Sequence, residues 1–144
     1  MVRVMASGVF DIIHPGHIFY FEKAKELGDE LWVVVANDKT VKRKKREPIM
    51  PQEARARVVL SLKPVDKVVI GNADKDLFEI VKEIKPDIIA LGFDQKFDEK
   101  DLESRAKEIG LDIKVVRLPK LDHEITGTTK IISRIVEDFS KIEK

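Results

Sequence analysis

Two histidines stand close together in the segment His14-Pro15-Gly16-His17. An apolar run at residues 2–6 precedes them and is typical of a buried strand, and a helical apolar pattern follows them. Pro15 suits the first position of a helix, where a missing N–H costs nothing, and it pushes His14 into an extended conformation. We therefore expect His17 in the first helical turn, among backbone N–H groups without partners inside the helix. This arrangement predicts an anion site at a helix N-terminus, with phosphate as its natural ligand.

The same four residues resemble the H-x-G-H signature of the nucleotidyltransferases, which share a half-Rossmann fold with class I aminoacyl-tRNA synthetases. The whole chain is similar to the small cytidylyltransferase-like branch of these enzymes. Within that branch it most resembles the archaeal FAD synthases, which transfer AMP from ATP to FMN. The closer resemblance rests on the segments at residues 62–67, 85–87 and 92–98. It implies that His14 and His17 bind the nucleotide phosphates and stabilise the transition state.

Length and composition narrow the class of protein. A chain of 144 residues has the size of one domain, so we expect a single nucleotidyltransferase domain over residues 1–144. Its 27 Lys and Arg against 26 Asp and Glu argue against bulk binding to nucleic acid or to a membrane surface. The chain has no cysteine, which excludes disulfides and thiolate metal sites. No stretch is apolar enough to span a bilayer, and the N-terminus has the pattern of a core strand, so we expect a cytoplasmic protein.

Strand patterns alternate with helix patterns along the chain. Apolar runs predict strands at residues 2–6, 31–36, 67–70, 87–91 and 113–118. Helices are expected at 15–28, from 51 onward with Ala54, Val58 and Leu62 on one side, and at 76–84, 98–109 and 128–142, whereas 38–50 looks like a polar segment. Such alternation predicts an α/β fold, a doubly wound, Rossmann-like parallel sheet in the order 3-2-1-4-5.

Ligands of such sheets bind beyond the carboxyl ends of the strands, where the strand order reverses. The segments whose residues could bind or react with a ligand each follow a predicted strand in this way. They lie at residues 8–17, 38–50, 92–94 and 123–129. Neither G-x-G-x-x-G nor G-x-x-x-x-G-K-[ST] occurs in the chain, which argues against a dinucleotide dehydrogenase and a P-loop enzyme.

Nucleotidyl transfer requires positioning and charge neutralisation more than covalent catalysis. Both histidines can donate hydrogen bonds to phosphate oxygens whose charge grows in the transition state, and neither needs to act as a nucleophile. The resemblance adds nucleotide contacts at Val9, Phe10, Pro15 and Gly16. Most of the family carries Thr or Ser where this chain has Val9, so only backbone contacts transfer to Val9 and Phe10.

The sequence leaves two possible roles open for each of the charged residues near this loop. Asp11 either orients the loop or a histidine, or caps the following helix. The basic run at 42–46 is either a solvated loop or a triphosphate-binding segment, and the resemblance favours Lys42 as the lysine that contacts phosphate. Arg55 and Arg57 could reach the same phosphates, but a surface position is the more common outcome for such residues.

Two later segments resemble nucleotide-binding motifs of the family. In the segment at 92–95, Asp94 is expected to accept a hydrogen bond from a ribose hydroxyl or a base amino group, or else to be a turn residue. The segment at 126–131 resembles the motif that closes the family's active site, and Thr128 and Thr129 are expected to donate to phosphate or only to cap the helix. His123 is expected to border the base.

The predicted substrates are ATP and FMN, with a divalent metal, Mg²⁺ above all, that arrives with the triphosphate. Neither a nucleic acid nor a membrane is an expected partner, and a homodimer is left open. FMN needs an apolar wall beside the phosphate site, and five residues near strand ends are candidates for it: Phe10, Ile12, Ile13, Phe93 and Phe97. Alternatives are a CTP-dependent cytidylyltransferase for a small phosphorylated alcohol such as glycerol 3-phosphate, a non-catalytic nucleotide sensor, and an RNA-binding module.

Overall fold

The sheet has five parallel strands in the order β3-β2-β1-β4-β5, as the sequence predicts. The structure, a computed structural model, describes residues 1–43, 47–72, 77–121 and 127–142, without the side chains of residues 43 and 142. The strands are β1 (Arg3–Gly8), β2 (Glu30–Val35), β3 (Lys67–Ile70), β4 (Ile88–Leu91) and β5 (Lys114–Arg117). The reversal of strand order lies between β1 and β4, and residues beyond these two strand ends therefore occupy the expected ligand position.

Helices cover both faces of the sheet. They are α1 (Pro15–Glu26), α2 (Asp38–Arg43), α3 (Gln52–Leu60), α4 (Leu77–Ile84), α5 (Glu99–Glu108) and α6 (Thr128–Ile142). Phe21 of α1 and Val59 of α3 are buried on one face, and Phe78 of α4 and Leu102 of α5 are buried on the other. Successive residues of each strand point to opposite faces, so the continuous apolar runs of the strands supply both cores. Complete burial of one such phenylalanine stabilises the fold by roughly 1.5–3 kcal/mol.

Several local predictions are wrong in detail. The predicted apolar side of α3 is incorrect, because Arg55 and Val59 are its buried residues and Val58 is 37% exposed. Ile18 of α1 is also 37% exposed, although it was expected to share the apolar face. The polar segment at residues 38–50 begins with the short helix α2, whose first turn is capped by Asn37 Oδ1 accepting from the Thr40 N–H at 2.8 Å. A side-chain cap of this kind starts a short helix despite its polar composition.

The strand and helix ends also differ by one or two residues from the expected ones. β1 continues to Gly8 because its pairing with β2 extends to Val35. α6 carries the predicted apolar stripe, and Ile135 and Phe139 on it are 57% and 56% exposed. Among the helices that the structure describes, none is both long and apolar enough to cross a membrane.

Candidate active site

A cavity of about 380 Å³ lies beyond the carboxyl ends of β1, β4 and β5. Its walls come from the loop after β1, the start of α1, the segments after β4 and β5, and the start of α6. It brings together most of the residues singled out in the sequence: Val9, Phe10, Asp11, His14, Gly16, His17, Asp94, Thr128 and Thr129.

His14 is the N-cap of α1 and has the extended backbone that Pro15 imposes, with φ −139° and ψ 172°. Its Nδ1 accepts a hydrogen bond from the Gly16 N–H at 3.0 Å. The Nδ1 of His17, in the first turn, accepts from the His14 N–H at 3.2 Å. Two histidines thus form a reciprocal capping box, a role usually taken by Ser or Thr with Glu.

These hydrogen bonds assign the ring protons. A ring nitrogen that accepts from a backbone N–H carries no hydrogen, so in each neutral ring the proton resides on Nε2. The two rings lie close together and tilted, with centroids 3.8 Å apart and planes 32° apart. His14 and His17 both line the cavity, and with each Nδ1 bonded to a backbone N–H, the Nε2–H is the ring donor left for a ligand there.

Burial keeps both rings neutral. It lowers the pKa of His17 to about 4, and the nearby His14 adds to the shift because two charges so close would repel. Burial also lowers the pKa of His14. Near neutral pH the pair therefore offers hydrogen-bond donors rather than two positive charges.

Phe10 supports this pair from below. Its ring is only 5% exposed and packs against Phe21 at 4.9 Å and edge-on against His17 at 5.6 Å between centroids. The backbone of Phe10 has φ +54°, a conformation that costs a residue with a side chain on the order of 1 kcal/mol or more. A Cβ added at Gly8 would lie 2.7 Å from the Phe10 ring, so only glycine fits beneath it.

Phe10 borders the cavity, but its ring belongs to the core and offers little open apolar surface to a ligand. Ile13 also packs against this core, and Ile12 is half-buried. Phe93 lines the cavity and is 46% exposed. Phe97 is 42% exposed but does not appear among the described residues of the cavity wall. Of the five candidates, Phe93 is thus the one whose exposed ring faces a ligand space.

Asp11 holds a neighbouring segment and does not cap α1, whose cap is His14. The Asp11 carboxylate is 2% exposed and accepts from the N–H groups of Ile49 and Met50 at 2.7 and 2.9 Å. This contact fixes the segment after the basic run against the histidine loop, in agreement with the alternative that Asp11 orients the loop.

The sequence left two positions open for Arg55, one in contact with phosphate and one at the surface, and the structure shows neither. Arg55 lies neither at the surface nor among the described residues of the cavity wall. Its side chain is fully buried and donates to the carbonyls of Val9, Ala36 and Met50 and to the carboxylate of Asp38. Arg57, in contrast, is exposed, as the surface alternative predicts. No signal in the sequence pointed to the burial of Arg55, because three of its four partners are backbone carbonyls.

The segment after β4 is fixed by two side chains that the sequence did not single out for this role. Gln95 accepts from the Gly92 N–H at 2.8 Å and donates to the Ser7 carbonyl at 3.0 Å. Arg117 donates to the carbonyls of Gly92 and Gln95 at 3.0 and 2.8 Å. Asp94, which lies inside this segment, is exposed toward the cavity that it lines.

Two further residues of the cavity wall were missed. The Tyr20 hydroxyl donates to the Ala90 carbonyl at 2.7 Å, and burial raises its pKa, so it stays protonated. Its place one turn after His17 on α1 was the signal available for it. Lys120, which lies soon after β5, has its Nζ 5.5 Å from the centre of the Phe93 ring. A cation and an exposed aromatic ring thus face the cavity side by side.

The structure does not bring two of the predicted contacts to the described part of the cavity wall. Lys42 is exposed on α2, and Pro15 is exposed at the first position of α1. Neither belongs to the described residues that line the cavity. His123 lies outside the described residues, so the prediction for it stays as it was made.

The fold and the paired donors define a nucleotide-binding α/β protein of the H-x-G-H type. Residues 5–134 match the family described as Cytidylyltransferase-like, and the chain belongs to that family. It is 54% identical over 138 residues to the FAD synthase of Aciduliprofundum boonei, covering 95% of this chain and 92% of that protein. It is 51% identical over 140 residues to the FAD synthase of Pyrococcus horikoshii, covering 96% and 95%.

Two solved structures have the same fold. The crystal structure of a Thermoplasma volcanium protein titled as a lipopolysaccharide core biosynthesis protein has a TM-score of 0.82 and 48% identity, covering 85% of this chain and 99% of that one. Pantoate-beta-alanine ligase from Francisella tularensis has a TM-score of 0.60 at 13% identity, over 85% of this chain and 60% of that one, which shows a shared fold alone.

The low pKa of His17 predicts a pH window for stability. With a pKa of about 4 in the folded chain against 6.5 ordinarily, the unfolded state binds more protons between these values. The stability that the neutral ring contributes is therefore full above pH 6.5 and is lost as the pH falls toward 4. We expect the unfolding temperature, followed by circular dichroism, to drop more for the wild type than for His17→Asn between about pH 7 and about pH 5. Asn keeps an acceptor for the His14 N–H without titrating, so parallel curves would contradict the assignment.

Proposed function

We propose that the protein is an FMN adenylyltransferase, which transfers AMP from ATP to FMN and releases FAD and pyrophosphate. The observation that carries the proposal is the neutral His14–His17 pair at the start of α1, whose two Nε2–H donors serve one cavity. Relatives named FAD synthase, at about half identity over nearly the whole chain, support FMN as the acceptor. They give no support to the cytidylyltransferase alternative. A cytoplasmic location and a homodimer stay predictions.

The reaction needs donors at the phosphates. A phosphate oxygen of FMN attacks the α-phosphorus of ATP, the new P–O bond forms in line, and the bond to pyrophosphate breaks. Negative charge grows on oxygens around the α-phosphorus and on the leaving group. The Nε2–H groups of His14 and His17 donate to these oxygens from a partly buried position, where a hydrogen bond is stronger than in water. Because both rings are already neutral donors, neither has to gain or lose a proton.

The remaining wall residues divide into nucleotide and acceptor contacts. Thr128 and Thr129 begin α6, where hydroxyls and backbone N–H groups suit phosphate, and Asp94 suits a ribose hydroxyl or the adenine amino group. Phe93 offers its ring to the flat flavin, and Lys120 beside it offers a charge to phosphate. Beyond the described cavity wall, Lys42, Pro15 and His123 are proposed as further nucleotide contacts. The backbone near Val9, Phe10 and Gly16 completes the proposed nucleotide contacts.

A divalent cation, Mg²⁺ above all, is proposed to accompany the triphosphate. Among the described residues, no group of three or more His, Cys, Asp or Glu side chains is placed to hold a metal ion. The cation would be held mainly by phosphate oxygens and water, which is the usual coordination of Mg²⁺ beside nucleotides. The cation would supply charge neutralisation at the phosphates.

The first test is product analysis. Incubating the protein with ATP, Mg²⁺ and FMN should give FAD and pyrophosphate, identified by mass, and excess chelator should stop the reaction. A parallel incubation with CTP and glycerol 3-phosphate is the matched control and should give little product. CMP transfer to glycerol 3-phosphate without FAD would overturn the acceptor, and full activity in chelator would overturn the metal requirement.

A second test separates the two nitrogens of His17. Asn places an oxygen near the position of Nδ1 and keeps the cap, whereas Gln places an amide N–H near the position of Nε2 and keeps the donor. We expect His17→Asn to lower kcat by about 100-fold or more, the usual effect of removing one transition-state donor. His17→Gln should retain clearly more activity. Equal activities of the two folded variants would show that the Nε2–H is not the catalytic group.

A third test concerns the acceptor. Phe93 and Phe97 are exposed to a similar extent in the same segment, but only Phe93 is among the described residues that line the cavity. We expect Phe93→Ser to raise the KM for FMN about two- to tenfold, as expected for an aromatic contact, with a smaller change in the KM for ATP. Phe97→Ser is the control and should leave both constants nearly unchanged. An equal effect of the two substitutions would remove Phe93 from the acceptor site.

A further inference from the structure

The buried guanidinium of Arg55 links three separate parts of the chain by hydrogen bonds. The Arg55 Nη1 donates to the carbonyls of Val9 and Ala36 at 2.8 and 2.7 Å, and its Nε donates to the Met50 carbonyl at 2.9 Å. Its Nη2 pairs with Asp38 Oδ1 at 2.7 Å. We call these five residues the Arg55 cluster. The guanidinium is fully buried, so these contacts replace its hydration shell.

The Arg55 cluster fixes the loop that carries the histidines. Val9, whose carbonyl it binds, directly precedes Phe10, whose backbone has the unfavourable φ of +54°. The Phe10 ring in turn lies edge-on against the His17 ring. Asp11 then ties the same loop to Met50, the residue whose carbonyl Arg55 also binds. Arg55, the histidine loop and Met50 are therefore connected to one another in a closed ring of contacts.

The same cluster fixes the beginning of the basic segment. The Ala36 carbonyl lies just past the end of β2, and Asp38 is the first residue of α2, the helix that carries Lys42. The Asp38 N–H donates to the Gln52 side chain on α3 at 2.9 Å, which adds a second link to the helix that bears Arg55. The Arg55 guanidinium thus links the start of α2 to the histidine loop, and the Gln52 contact reinforces this link.

We propose that Arg55 is a positioning residue for nucleotidyl transfer, which sets the histidine loop and the start of the basic segment in one relative position without touching substrate. The inference rests on the proposed function for what the positioned groups bind. It explains why an arginine occupies a fully buried position on α3. A lysine has the same charge, but it cannot direct planar donors at three carbonyls and a carboxylate together.

The test is Arg55→Lys, with Arg3→Lys as matched control. Arg3 also donates to a carbonyl, that of Ile84, and pairs with Glu30, but at the opposite end of β1 from the cavity. We expect Arg55→Lys to lower kcat by about tenfold to 100-fold, since a small misplacement of catalytic groups costs this much. The KM for ATP should also rise, whereas the KM for FMN stays nearly constant because Arg117, and not Arg55, fixes the segment that carries Phe93 through the carbonyls of Gly92 and Gln95. Arg3→Lys should alter thermal stability and leave all three constants unchanged.

The imidazole ¹⁵N resonances of His17 give an independent readout. They should shift in Arg55→Lys and stay in place in Arg3→Lys. A merely stabilising Arg55 would give a lower fraction of active protein with both KM values and the His17 resonances unchanged, and this result would overturn the proposal. If Arg55→Lys does not fold, Asp38→Ala, which removes one of the four contacts, should show the same changes to a smaller degree.

The measurements distinguish a wrong acceptor substrate from a wrong role for Arg55. If the wild type forms no FAD, the acceptor is wrong, but the resonances of His17 and the affinity for inorganic tripolyphosphate with Mg²⁺ remain measurable. Weaker tripolyphosphate binding in Arg55→Lys, together with shifted His17 resonances, would then support the positioning role. Unchanged binding and unchanged resonances would overturn it.

Discussion

The reciprocal hydrogen bonding of His14 and His17 is the interaction on which the site depends. Each Nδ1 accepts a backbone N–H at the start of α1, and this contact begins the helix and assigns the ring proton at the same time. Because the caps consume both Nδ1 atoms, the Nε2–H groups remain as the donors that a ligand can use. The Nδ1 side of each ring thus caps the helix, and the opposite Nε2 side is left to bind the ligand.

This arrangement constrains the residues beneath the histidines. The rings need a firm and dry support, and the Phe10 ring supplies it from the core. To turn its ring inward, Phe10 adopts a positive φ, and Gly8 leaves the space that the ring fills. The strain of such a backbone persists only where surrounding contacts hold it. Here the contacts come from the buried Arg55 and from the aromatic packing against Phe21.

The sequence predicts the features that depend on neighbouring residues. The alternation of apolar runs with helical patterns predicts a doubly wound parallel sheet, for which 3-2-1-4-5 is a common strand order. Pro15 was enough to place His14 as an extended residue and His17 in the first turn. The features that it does not predict depend on distant backbone. Arg55 is bound by carbonyls of Val9, Ala36 and Met50, which every residue type carries, so no pattern marks them. The spacing of residues likewise does not predict that the Phe10 ring turns into the core, because a phenylalanine rarely adopts a positive φ.

The two sides of the cavity are held by the same device. At the carboxyl ends of parallel strands the backbone carbonyls lack partners from the ladder, and an arginine can satisfy several of them at once. Arg55 does so beside β1 and β2, and Arg117 does so for the segment after β4. Gln95 links the two sides through a hydrogen bond to the Ser7 carbonyl near the end of β1, and the Tyr20 hydroxyl adds a link from α1 to the Ala90 carbonyl of β4. The histidine loop and the segment with Phe93 are therefore fixed largely independently, which allows the acceptor side of such a site to diverge while the phosphate side keeps its geometry.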